Sequence, residues 1–183
     1  MKSLTIIMTV SLGLLALTGC QNVKSAATTE AASPPSELKV SLIGMSGQSI
    51  GTAKLTSVQE GVQIELQVSG LTPGLHGLHF HEKAICEAPS FESAGAHFNP
   101  MKKEHGFLNP KGAHAGDLPN LVVDEQGNGK FNAITKAVVM LPNKSNSLLK
   151  QGGTSLVIHE KEDDLKTDPT GNSGKRIACG AVK

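Results

Sequence analysis

The chain has 183 residues, with 17 Lys and Arg against 16 Asp and Glu. Apart from Lys2, the one charge ahead of Cys20, the two signs balance, so the charge gives no reason to expect a nucleic-acid partner. Beyond the N-terminus no apolar run approaches the roughly 20 residues that a membrane-spanning helix needs.

In chain order, Met1 and Lys2 make a short positive start, and an uncharged, mainly apolar run follows from Leu4 to Leu17. The segment Leu17-Thr18-Gly19-Cys20 closes that run with small residues, which reads as a secretory signal over residues 1–19. It also resembles the lipobox of bacterial lipoproteins, which implies that Cys20 becomes the first mature residue and carries a lipid. An ordinary signal peptide or a short membrane helix are the plainer readings. Residues 20–36 are rich in Ala, Thr, Ser and Pro without periodicity, as expected for a flexible tether. Residues 37–183 then suit one domain.

The domain reads as all-β. Leu38, Val40 and Leu42 alternate with polar residues, as do Val62, Ile64, Leu66 and Val68, which is the period of a half-buried strand. A weaker strand spans residues 50–58. Gly127-Asn128-Gly129 predicts a hairpin turn between 121–123 and 131–134. Two late strands are expected at 155–159 and 177–182. Short strands with Gly-rich turns favour a sandwich or barrel. Two connections, 82–119 and 160–175, are long for a compact domain and carry His, Asp, Cys and Arg, so they are expected to be functional.

Six of the seven histidines fall between His76 and Asp117. His79 and His81, two apart on a strand, share a face and can reach one ion. His76 falls on the other face by parity and reads as a structural histidine. A lone His-x-His is weak evidence. The next loop adds His97, His105, His114 and Asp117, three imidazoles and a carboxylate that make a closed zinc set. His159, at the end of an apolar strand, can complete a nitrogen-rich set with His79 and His81 that suits copper. One imidazole has two nitrogens and can serve both. Cys86 and Cys179 remain as an even pair, which in an exported protein favours a disulfide over two free thiols.

These residues resemble the copper-zinc superoxide dismutases of the bacterial exported type. The resemblance covers nearly all of 37–183. It rests on Gly-Leu-His-Gly-Leu-His-Phe-His-Glu at 74–82, Ser-Ala-Gly-Ala-His-Phe-Asn-Pro at 93–100 and His-Ala-Gly-Asp-Leu-Pro-Asn at 114–120. Val-Ile-His-Glu at 157–160, Gly-Asn-Ser-Gly at 171–174 and Arg-Ile-Ala-Cys-Gly at 176–180 complete it. It implies an eight-stranded Greek-key β-barrel. It implies copper on His79, His81, His97 and His159, and zinc on His97, His105, His114 and Asp117, with His97 bridging. It further implies a Cys86–Cys179 disulfide, Arg176 beside the copper, and Asp163 linking His79 to His105, its loss bearing mainly on zinc.

The implied activity is disproportionation of superoxide outside the cytoplasm, with the membrane reached only through the lipid on Cys20. The segment 87–96 resembles bacterial rather than animal members. The second long loop is shorter than in animal enzymes, which leaves Lys161, Lys166 and Lys175 as candidates to steer the anion or as plain surface charges. The rival readings are a metal-buffering module of the same fold, a copper chaperone and a zinc hydrolase. The last is disfavoured by the closed zinc set.

Overall fold

The computed structural model describes residues 35–183. The expected signal segment, Cys20 and nearly all of the expected tether lie outside the described residues. Nine antiparallel strands make up one sheet: β1 (Glu37–Gly44), β2 (Ser49–Val58), β3 (Gly61–Val68), β4 (Gly74–His76), β5 (Leu78–His81), β6 (Leu121–Val123), β7 (Gly129–Thr135), β8 (Thr154–His159) and β9 (Arg176–Val182). Among the described residues the helical content is one 3-10 turn, Glu92–Ala94.

The strand order is β4-β6-β7-β3-β2-β1-β9-β8-β5. The outermost strands, β4 and β5, are consecutive in the chain and joined by Gly77 alone, so the sheet curls until its two edges meet at that residue. β4 and β5 are therefore two halves of one bent run, which reconciles nine paired segments with the expected eight-stranded barrel. At the corner, Gly77 donates its N–H to the Lys161 carbonyl at 2.8 Å and accepts from the His159 N–H at 2.8 Å. A Cβ there would stand 2.8 Å from the Ser173 Cβ and 3.1 Å from His79 Cε1, so the corner has room only for glycine.

The alternation seen in the sequence sorts the faces. Val62, Ile64, Leu66 and Val68 of β3 are buried against Val40, Leu42, Leu55, Phe80, Leu156 and Ile158. Each such side chain contributes about 1.5–3 kcal/mol by leaving water. β8 is buried along its whole length. Its outer side is covered as well, because Val157 packs with Phe91, Ala94 and Cys179 under the loop that follows β5. The turn between β6 and β7 runs through Asp124, whose carboxylate accepts the N–H groups of Gln126 at 3.0 Å and Asn128 at 2.8 Å. Gly129, expected in that turn, instead begins β7.

Candidate metal centre

β5 presents Leu78 and Phe80 to the barrel interior, and the pleat turns His79 and His81 the other way. The loop after β5 returns to pair with it. Phe98 donates to Phe80 O, Phe80 donates to Gly116 O and Gly116 donates to Phe98 O, each at 2.8 Å. Isolated bridges join His79 to Asp117 and His81 to His97. A Cβ on Gly116 would press into the Phe80 carbonyl, so glycine permits this close pairing. The histidines of the loop thereby stack over those of the strand, and all seven histidines are buried.

Ring nitrogens of His79, His81, His97 and His159 lie within 4.8 Å of one another. The far nitrogen of each strand histidine is committed to an oxygen acceptor. His79 Nε2 lies 2.7 Å from Asp163 Oδ2, His81 Nδ1 2.9 Å from Gly95 O, and His159 Nδ1 3.2 Å from Gly174 O. An N–H that donates there leaves a lone pair on the other nitrogen. Two of those lone pairs, His81 Nε2 and His159 Nε2, face each other at 3.3 Å. His79 Nδ1 and His97 Nε2 are buried without any hydrogen bond. Buried, unpaired acceptors pointing at one another are costly unless a cation sits among them.

Beside this set, Asp117 Oδ1 lies 3.2 Å from His97 Nδ1, 3.1 Å from His105 Nδ1 and 3.3 Å from His114 Nδ1. A regular tetrahedron with zinc–ligand distances of about 2.0 Å has edges of about 3.3 Å, so the spacing fits zinc. Asp117 Oδ2 accepts the N–H groups of Gly106 and His114, each at 3.0 Å, which keeps Oδ1 turned inward. His105 Nδ1 and His114 Nδ1 have no hydrogen-bond partner. The ligand atoms of His79 also fall within 4.8 Å of His97, His105 and Asp117. Its Nε2 is taken by Asp163, however, so only Nδ1 is open, and His114 completes the second set.

Asp163 joins the two halves. Its Oδ2 meets His79 Nε2, and its Oδ1 takes His105 Nε2 at 3.0 Å and the Leu165 N–H at 2.7 Å. Asn120 clasps its backbone in both directions, at 2.8 and 2.9 Å. Burial lowers the pKa of His79 and His81, of His97 to about 3 and of His159 to about 2, so these rings are neutral and free to ligate. Burial also opposes charge on His105, but the carboxylate of Asp117 beside its Nδ1 and the hydrogen bond of its Nε2 to Asp163 outweigh it and raise its pKa to about 9. Burial disfavours the Asp117 carboxylate, yet the rings of His105, His114 and His97 crowded against its Oδ1 hold it ionised far below the usual range. The second set thus favours a positive charge, which a proton or a metal can supply.

Arg176 lies on the wall of a cavity of about 670 Å³ that also exposes His97, His114, Lys103 and Lys150. Its Nη1 and Nη2 donate to Phe91 O at 2.7 Å and Gly95 O at 2.6 Å, which fixes the guanidinium. None of Lys161, Lys166 and Lys175 lines this cavity; Lys175 borders a neighbouring one, and Lys103 and Lys150 stand where a steering charge would act. Cys86 and Cys179 form a disulfide, with Cα atoms 5.6 Å apart. His76 stays outside both sets, as a structural histidine would: its Nδ1 lies 2.7 Å from His159 O and its Nε2 2.8 Å from Thr72 O. Lys103 and Lys150 carried no signal in the sequence, and Asn120 stood there only as the last residue of the 114–120 motif, because its clasp on Asp163 joins positions 43 apart.

A family model described as copper/zinc superoxide dismutase (SODC) matches residues 49–182. Superoxide dismutase (Cu-Zn) 1 of Aquifex aeolicus is 49% identical over 143 residues, covering 78% of this chain and 85% of that protein. The superoxide dismutase-like protein YojM of Bacillus subtilis is 45% identical over 147 residues, covering 78% and 74%. A crystal structure of a SOD-like protein from Bacillus subtilis superposes with a TM-score of 0.77 at 41% identity, covering 79% of this chain and 97% of that one.

Proposed function

The chain belongs to the copper/zinc superoxide dismutase family, and from that premise we propose which of its residues do the work. It is an enzyme that binds copper and zinc and disproportionates superoxide: two superoxide anions and two protons give one oxygen and one hydrogen peroxide. We assign copper to His79, His81, His97 and His159, and zinc to His97, His105, His114 and Asp117. The observation that carries this assignment is the set of four buried ring nitrogens with no hydrogen-bond partner, on His79, His97, His105 and His114.

The passage of an electron from one superoxide to the next is what bound copper supplies. The protein holds and orients. His97 offers Nε2 to one set and Nδ1 to the other. With Nδ1 held by the zinc set, Nε2 would be the atom on which His97 holds a proton for the peroxide product. Arg176 brings a permanent charge and a fork of donors to the cavity wall, where an anion is drawn in and held. A charged cleft of this kind raises encounter rates by about 10–10³.

We further propose that the protein is exported, with residues 1–19 removed, Cys20 lipidated and residues 20–36 tethering the domain to the membrane. The Cys86–Cys179 disulfide supports an oxidising compartment. Acyl chains on Cys20 in the mature protein, read by mass spectrometry, would test the anchor. For the enzyme, removal of copper is expected to abolish superoxide turnover, with copper but not zinc restoring it. A metal-buffering module of the same fold would bind both metals and show no turnover.

A further inference from the structure

We propose that Asp168 is a positioning residue for zinc, holding both His105 and His114 from outside the metal set. The proposal rests on the assignment of zinc to that set. A metal-bound imidazole donates its outer N–H to a carboxylate, carbonyl or water, which fixes the ring and strengthens the ligand. The outer nitrogen of His105 meets Asp163, and that of His97 faces the copper set. That leaves His114. Its Nδ1 is turned to Asp117, and its Nε2 makes no hydrogen bond among the described residues. The carboxylate within reach of that atom is Asp168, whose Oδ1 stands 3.8 Å away.

The same Oδ1 already accepts the backbone N–H of His105 at 2.7 Å. One oxygen therefore addresses two adjacent zinc ligands, one through its backbone and one through its ring. Asp168 is half exposed, and its side chain or the His114 ring needs to move by only about 1 Å to close the gap to hydrogen-bond length. It also ends a row of contacts between the two long loops, in which Leu108 donates to Leu165 O at 2.8 Å and Asn109 Nδ2 to Lys166 O at 3.4 Å. Asp163 and Asp168 thus grip the zinc ligands from two points of one loop, the first on the copper side and the second on the cavity side.

The test uses the zinc-loaded mature protein and its Asp168→Ala, Asp168→Asn and Glu162→Gln variants. Glu162 is exposed, and its side chain makes no hydrogen bond among the described residues. Zinc affinity is read by competition with a chelator, and the His114 Nε2–H by its NMR signal and exchange rate with water. We expect that proton to be protected in the unmodified protein and in Glu162→Gln. In Asp168→Ala it should exchange freely, with zinc affinity falling about 10–100-fold. Asp168→Asn keeps an oxygen acceptor and should retain the signal with a smaller loss. Equal zinc affinity and equal protection in Asp168→Ala would overturn the proposal. So would weakened zinc with His114 still protected, because Asp168 would then act on the loop alone. An unmodified protein that takes up no zinc would refute the zinc assignment itself, a different failure from unchanged variants of a zinc-binding parent.

Discussion

Asp163→Asn is expected to weaken copper more than zinc, the reverse of what the sequence alone suggests. The carboxylate serves three donors. Oδ1 accepts from His105 Nε2 and the Leu165 N–H, and Oδ2 accepts from His79 Nε2. An asparagine has a single oxygen, which will sit where two donors converge, on the His105 side. Its NH2 then faces His79 Nε2, where two donors would meet. His79 can escape by moving its proton to Nδ1, but that nitrogen is the one it needs for copper. A lost charge-assisted hydrogen bond costs about 1.5–3 kcal/mol. That corresponds to a fall in affinity of about 10–150-fold, in line with the 10–100-fold usual for residues behind a metal ligand. Copper and zinc affinities of the variant, each by chelator competition, check this. A loss of zinc alone, or of neither metal, would refute the reasoning.

Arg176→Glu should leave both metals bound but cut the superoxide rate by 10-fold or more, with Arg176→Lys milder because a point charge still attracts the anion. Steady-state kinetics beside metal analysis decides it, and an unchanged rate in the Glu variant contradicts the role. The disulfide closes a span of 93 residues. In the chain-entropy model it stabilises by about 4–5 kcal/mol, so Cys86→Ser should lower both melting temperature and zinc retention, and an unchanged thermal scan would count against this. In the metal-free protein His97 and His159 have folded pKa values of about 3 and about 2, below the ordinary value of 6.5. The unfolded chain therefore binds protons that the fold refuses. Stability should fall as pH drops below about 6.5, by up to about 1.4 kcal/mol per unit for each such ring. His105, shifted up to about 9, adds the opposite slope on the alkaline side, its contribution being complete below 6.5 and lost as pH rises through 9. Melting temperature against pH in chelator reads both arms, and a flat acid arm would contradict the burial of neutral rings.

The strands were legible because β1 and β3 keep a strict two-residue period with one face in the core. The clustering of the histidines was legible because imidazoles are rare and seldom gather in one stretch of chain, and the structure brings them together in two buried groups that could hold a metal. The break at Gly77 was not, since nothing local marks a run that pairs with β6 on one side and β8 on the other. Nor was Asp164. In the run Glu160-Lys161-Glu162-Asp163-Asp164 it reads as a surface acid, yet its carboxylate accepts the N–H groups of Lys166 at 2.9 Å and Thr167 at 2.8 Å and shapes the loop. Asn120 lies 43 positions from Asp163 and Asp168 lies 63 from His105. Contacts between loops at such separations follow from closure of the barrel, and no periodicity records them.

In the assignment proposed above, His97 serves two metals through one ring. Its Nδ1 lies 3.2 Å from Asp117 Oδ1, and its Nε2 is buried on the copper side without a partner. Electron paramagnetic resonance of the copper protein with cobalt in place of zinc tests this directly. Two paramagnetic ions joined by one imidazolate couple, so the copper signal should be lost or strongly altered, and it should return in full when zinc replaces cobalt. An unchanged copper spectrum with both sites filled would contradict the account.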